Sequence, residues 1–162
     1  MRSRNFYPLS LAAAAVLLSL PSLLAQSSSV LTVKTPPPAI GKRDSTIAAR
    51  VTLQLRSGYH VNSSTPADEY LLPLHLSWDG ATLEALDVAY PTPQMANYSF
   101  SKKPVSIYSG QFDVVTRFRV PANAPLGSLV LAGKLRYQAC NDSTCLPPRT
   151  VEVKLPLEIR AR

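Results

Sequence analysis

Three segments of this chain alternate apolar and polar residues with a period of two, and that pattern limits the fold more than any other feature. In residues 46–55, Ile47, Ala49, Val51, Leu53 and Leu55 point one way while Arg50, Thr52 and Gln54 point the other. In residues 112–120, Phe112, Val114, Thr116, Phe118 and Val120 share a face opposite Asp113, Arg117 and Arg119. In residues 151–159, Val151, Val153, Leu155, Leu157 and Ile159 oppose Glu152, Lys154, Pro156 and Glu158. Successive side chains of a strand face opposite ways, so each segment reads as a strand with one buried and one wet face. Pro156 has no N–H for a ladder, which predicts an edge or a strand end there. The 15 prolines among 162 residues exclude a helical bundle, because an interior proline loses a hydrogen bond and clashes with the preceding turn.

Further strand candidates are residues 30–34, 71–77, 82–90, 105–108 and 128–140, separated by turns such as Asp79-Gly80. About eight strands with turn residues between them predict an all-β, immunoglobulin-like antiparallel β-sandwich. Trp78, the only tryptophan, reads as core packing at a strand end, and His75, between Leu74 and Leu76, as solvent-facing. Thr35-Pro36-Pro37-Pro38 reads as a stiff, extended connector.

Residues 1–25 have the layout of a secretory signal peptide: Arg2 and Arg4, then an apolar run over residues 9–20 broken only by Ser10 and Ser19, then cleavage after Ala25. That run is short of the roughly 20 residues of a spanning helix, and no later stretch is long enough. The expected organisation is a signal peptide (1–25), an N-terminal strand and Pro-rich connector (26–45), and the remainder (46–162) of one immunoglobulin-like domain covering 26–162. The mature protein is expected to be exported, with no stable membrane insertion. The formal net charge is +7, but Lys and Arg are dispersed without a cluster, which argues against a nucleic-acid partner.

Cys140 and Cys145, the only cysteines, flank Asn141-Asp142-Ser143-Thr144 between two strand patterns. They read as the shoulders of a hairpin tip, where a disulfide spanning roughly 4.4–6.8 Å between Cα atoms can form. Ring closure over so few residues is worth only about 2 kcal/mol on the chain-entropy estimate, whereas an exposed short ring is open to an attacking thiolate. Two readings therefore stand side by side: a redox pair, and a structural staple in a binding or assembly module. If the strand over residues 128–140 runs straight, Cys140 falls on its polar face near Arg136, with Arg149 close by, where positive charge favours a thiolate. Asp142 opposes that effect.

Residues 127–157, with Tyr137-Gln138-Ala139-Cys140 and Cys145-Leu146-Pro147-Pro148, resemble the active-site hairpin of the N-terminal periplasmic domain of the thiol:disulfide interchange protein DsbD. Gly58-Tyr59-His60-Val61-Asn62 resembles a strand end of that domain, and Val105-Ser106-Ile107-Tyr108 with residues 112–120 resembles the strand after its active-site cap loop. The resemblance implies a periplasmic immunoglobulin-like domain with a reversible disulfide, Cys140–Cys145. It would relay electrons between thioredoxin-fold proteins without a metal or organic cofactor. Family practice implies that Cys145 forms the mixed disulfide and Cys140 resolves it. The matching cap region is residues 95–103, with Tyr98 or Phe100 as the shielding ring. Three departures stand out: a shorter spacer between the cysteines, His60 and Asn62 where the family has aromatics, and neither the membrane domain nor the thioredoxin-like domain. A separate membrane electron carrier is therefore expected to supply the electrons.

His60 carries two expectations, a surface strand-end residue and a proton acceptor beside the cysteines. A copper site is disfavoured because no histidine follows Cys140. Asn62, Asn97 and Asn141 match the glycosylation pattern, which is read as chance in a bacterial periplasmic protein.

Overall fold

The computed structural model describes residues 29–80, 82–98 and 101–162. The predicted signal peptide and Phe100 lie outside the described residues. The strands are β1 (Leu31–Val33), β2 (Ala39–Lys42), β3 (Ser45–Leu55), β4 (His60–Asn62), β5 (His75–Trp78), β6 (Glu84–Ala89), β7 (Gln94–Ala96), β8 (Val105–Ser109), β9 (Gln111–Val120), β10 (Gly127–Tyr137), β11 (Ala139–Cys140) and β12 (Arg149–Arg160). No helix occurs among the described residues.

Two four-stranded sheets, β1-β3-β9-β6 and β2-β12-β10-β5, form an immunoglobulin-like β-sandwich. The long pairings are the ones that alternation predicts: β3 with β9 from Ser45↔Val120 to Gln54↔Gln111, and β10 with β12 from Gly127↔Ile159 to Tyr137↔Arg149. Their inner faces supply Leu53, Val114 and Phe118 from one sheet and Leu135, Val153 and Leu155 from the other, all fully buried. Burying each such large side chain contributes roughly 1.5–3 kcal/mol. Trp78 seals the interface, with its indole N–H donating to Thr116 Oγ1 at 2.9 Å and its ring edge-on to Phe118. On the outer face Arg50–Asp113, Arg117–Asp87 and Arg119–Glu84 form exposed ion pairs across β3, β9 and β6, worth little each.

The strand expected over residues 71–77 is limited to His75–Trp78, and His75 does face solvent. The prolines of the connector lie between β1 in one sheet and β2 in the other. There β2 pairs parallel with β12, from Ala39↔Leu157 to Lys42↔Arg160, the one parallel pairing among the described strands. Pro156 falls mid-strand, just before β2 joins, where β12 has a ladder partner only on the β10 side.

A third sheet, β11-β4-β8-β7, closes one end of the sandwich and is built from continuations of the long strands. The β3/β9 ribbon bends into β4/β8 at Gly58 and Gly110, both with positive φ (80° and 66°), a conformation that glycine adopts without strain. Leu55 N–H donates to Gly110 O at 2.8 Å and holds the bend closed. β4 and β8 are buried nearly throughout. Val61 and Tyr108 join the core on one side, while Val105 and Ile107 pack with Leu71, Ala96 and Tyr98 in a separate cluster.

Candidate functional site

The hairpin between β10 and β12 does not run straight to its tip. Ladder pairs join Tyr137 to Arg149 and Cys140 to Cys145, with Gln138 and Ala139 on one side opposed by Leu146, Pro147 and Pro148 on the other. That surplus residue is a bulge, which bends a hairpin and increases its twist. The two prolines lack the N–H groups that would continue the ladder. The tip thereby leaves the long sheet, and β11 pairs with β4 in the third sheet, Ala139↔Val61 and Cys140↔His60.

Beyond the bulge the backbone closes again. Leu146 N–H donates to Ala139 O at 2.8 Å and Asn141 N–H to Thr144 O at 2.9 Å. These bonds bracket the cysteines, which makes Cys140 and Cys145 a non-hydrogen-bonded pair, the position at which antiparallel backbones approach most closely. Their Cα atoms are 4.0 Å apart and a disulfide joins them. The Asn141 side chain shapes the turn: its Oδ1 accepts from Ser143 N–H, Ser143 Oγ–H and Thr144 N–H at 2.8–3.1 Å, a local bond that asparagine is suited to make.

The two sulfurs have different surroundings. Cys140 is 1% exposed, whereas Cys145 is open to solvent. The straight-strand expectation is corrected here: the break after Tyr137 turns Cys140 into the protein and away from the polar face. Arg136 stays in the long sheet, exposed and paired with Thr150 and His75, and Arg149 remains opposite Tyr137.

His60 is not a surface residue. It is 3% exposed and directly opposite Cys140 in the ladder. Its ring stacks on Tyr98 (centroids 4.4 Å apart, planes at 21°), and its Nδ1 is 3.0 Å from the Tyr98 hydroxyl. Its Nε2 is buried and has no hydrogen-bond partner among the described residues. Burial holds the His60 pKa below the ordinary imidazole value, with Asp142 in the hairpin turn pulling it partly back. Burial, reinforced by the same carboxylate, pushes the Tyr98 phenol up. Tyr98 follows β7 and lies within the region expected from sequence to cap the disulfide; its ring contact is with His60.

Asn62, also on β4, is 2% exposed and donates from Nδ2 to Leu72 O at 3.0 Å. It ties down the loop after β4 together with the Ser63–Ser106 hydroxyl contact and the Leu74 N–H to Ser63 O bond. Its role is to anchor that loop. Among the described residues no group of three or more His, Cys, Asp or Glu side chains is placed to hold a metal ion.

Fold and site together define a β-sandwich domain that carries a short-ring disulfide on a small terminal sheet. The chain belongs to the family described as "Thiol:disulfide interchange protein DsbD, N-terminal", whose model matches residues 28–157. Among solved structures, it is similar to the N-terminal periplasmic domain of ScsB from Proteus mirabilis, with a TM-score of 0.51 and 16% identity. That match covers 74% of this chain and 43% of the other, so the chain spans less than half of that structure. It is also similar to the seventh ScaB type I cohesin from Pseudobacteroides cellulosolvens, with a TM-score of 0.44 and 12% identity over 82% of this chain and 93% of that one. No curated protein matches it.

Proposed function

We propose that this protein is a periplasmic thiol–disulfide relay that passes reducing equivalents between thioredoxin-fold proteins through the Cys140–Cys145 bridge. The observation that carries the reading is the asymmetry of the bridge, one cysteine exposed and its partner buried, in a chain of a thiol:disulfide interchange family.

An incoming thiolate attacks along the S–S axis at the accessible sulfur, Cys145 Sγ. A bond forms between the donor and Cys145, the old S–S bond breaks, and its electron pair leaves on Cys140. A second donor thiolate then attacks the donor sulfur of the mixed disulfide and releases Cys145. The resulting dithiol repeats the sequence in reverse on the next disulfide: Cys145 attacks, and Cys140 displaces the product. The residues themselves carry the two electrons, so the reaction needs no metal or organic cofactor. Tyr98 shields this end of the domain, and a signal peptide over residues 1–25 would account for export. The donor is fed by a separate membrane electron carrier.

The test is the reduction potential of the pair, measured by alkylation across glutathione and dithiothreitol buffers. The relay requires a value between roughly −180 and −270 mV, the range of exchange proteins. A value below about −300 mV assigns the bridge a structural role instead, as in a binding or assembly module.

A further inference from the structure

We propose that His60 supplies, through its Nε2–H, a hydrogen bond to the Cys140 thiolate, so that the buried sulfur is stabilised as an anion whenever the bridge opens. The inference rests on the exchange reading for its purpose.

The placement comes from the ladder. His60 and Cys140 are directly opposed in the β4·β11 pair, and opposed residues put their side chains on the same face with Cβ atoms roughly 4.5–5.5 Å apart. The His60 side chain is fixed by the stack on Tyr98 and by the 3.0 Å contact between Nδ1 and the Tyr98 hydroxyl. Nε2 is left buried and without a partner among the described residues, an arrangement that costs free energy and calls for a reason.

The reason lies in the reduced state. In the disulfide, Cys140 carries no charge and needs no donor. Once the bridge opens, a residue only 1% exposed carries a negative sulfur with little water to solvate it. A neutral imidazole has one N–H and one bare nitrogen. A phenol hydroxyl can donate or accept, so Tyr98 turns its proton towards Nδ1 when the thiolate selects the Nε2–H tautomer. Burial favours the neutral ring that this exchange of roles needs. The ionisable neighbours are Asp142 on the hairpin turn and Tyr98 after β7; β8 presents Ser109 opposite His60. Asp142 disfavours the anion, which makes a donor at this position more valuable.

The electron count is unchanged. The donor thiolate bonds to Cys145 Sγ, the pair from the broken bond stays on Cys140 Sγ, and His60 donates a hydrogen bond without surrendering its proton.

The test uses two readouts on purified protein: the Cys140 thiol pKa in a Cys145→Ser background, from thiolate ultraviolet absorbance against pH, and the equilibrium of the intact pair with glutathione. His60→Phe keeps a ring against Tyr98 and removes both nitrogens. It is expected to raise the Cys140 pKa by about one unit and, with the equilibrium measured at a pH above that pKa, to shift it about tenfold towards the disulfide. His60→Gln, which retains an N–H donor, is expected to recover part of both. Values within twofold of the parent in a folded His60→Phe protein overturn the proposal. If that variant does not fold, Tyr98→Phe decides: loss of the Nδ1 partner is expected to shift both readouts the same way by less, and no shift overturns the proposal. Glutathione needs no protein partner, so a pair that ignores thioredoxin-fold dithiols but responds to His60 sinks the relay and leaves this inference standing.

Discussion

Cys140 and Cys145 share a covalent bond but not an environment: the first is buried against β4 and the second is open to solvent. Access decides which sulfur a large protein partner reaches. Cys140→Ser, which leaves Cys145 to attack and nothing to resolve, is expected to accumulate a mixed disulfide with a thioredoxin-fold partner. Cys145→Ser is expected to trap far less. Non-reducing gels of periplasmic extract check this, and equal trapping by both variants contradicts the asymmetry.

Opening the bridge is expected to leave the domain folded. The β10·β12 and β3·β9 ladders and the large buried residues between them lie outside the ring, whose closure contributes about 2 kcal/mol on the chain-entropy estimate. For a domain of this size that corresponds to a fall in Tm of roughly 8 °C or less. Calorimetry of oxidised and reduced protein measures it. Loss of the cooperative transition on reduction would mean that the tip holds the sandwich together.

His60 makes stability depend on pH in a defined direction. Burial holds its folded-state pKa below the 6.5 of the unfolded chain. As pH falls below that value, the unfolded chain takes up a proton before the folded protein does. The contribution is therefore complete above pH 6.5 and is lost as pH drops towards the lowered folded value. Denaturant midpoints are expected to fall on acidification through that window, and His60→Phe is expected to flatten the slope. An unchanged slope in the variant rules out His60 as its source.

Gly133 is held by contact, not by backbone conformation. It pairs with Trp78, and a Cβ there would lie 2.7 Å from Trp78 Cε3 and 3.0 Å from Ser77 O. Gly133→Ala is expected to cost about 1–3 kcal/mol by overpacking, with the potential of the distant disulfide unchanged. Urea unfolding and a glutathione titration test the two halves separately.

Side-chain alternation made β3, β9 and β12 legible because each is long and buries one face. It could not reveal β4 or β7, which have three residues each, too few for a period to register. Nor could it reveal β2, whose parallel partner lies more than a hundred residues away. The cysteines stood out by their spacing and setting. Their surroundings were harder to read, since extrapolating β10 through Gln138 put Cys140 on the wrong side. The surplus residue at Leu146-Pro147-Pro148 breaks that register, and one residue of slip exchanges the faces of a strand. The burial of His60 was hidden for a related reason. It depends on β11 and the residues after β7, both remote in sequence, meeting over β4.

The bulge also makes the disulfide-bearing tip an interchangeable part. Tyr137↔Arg149 ends the long ladder before the disturbance begins, and the Cys140–Cys145 pair starts a separate short ring after it. Residues 141–144 can thus be lengthened, shortened or replaced without moving a single pairing of the sandwich. A series of tip grafts between the two cysteines that keeps Asn141 and Asp142 would vary ring size on a fixed scaffold.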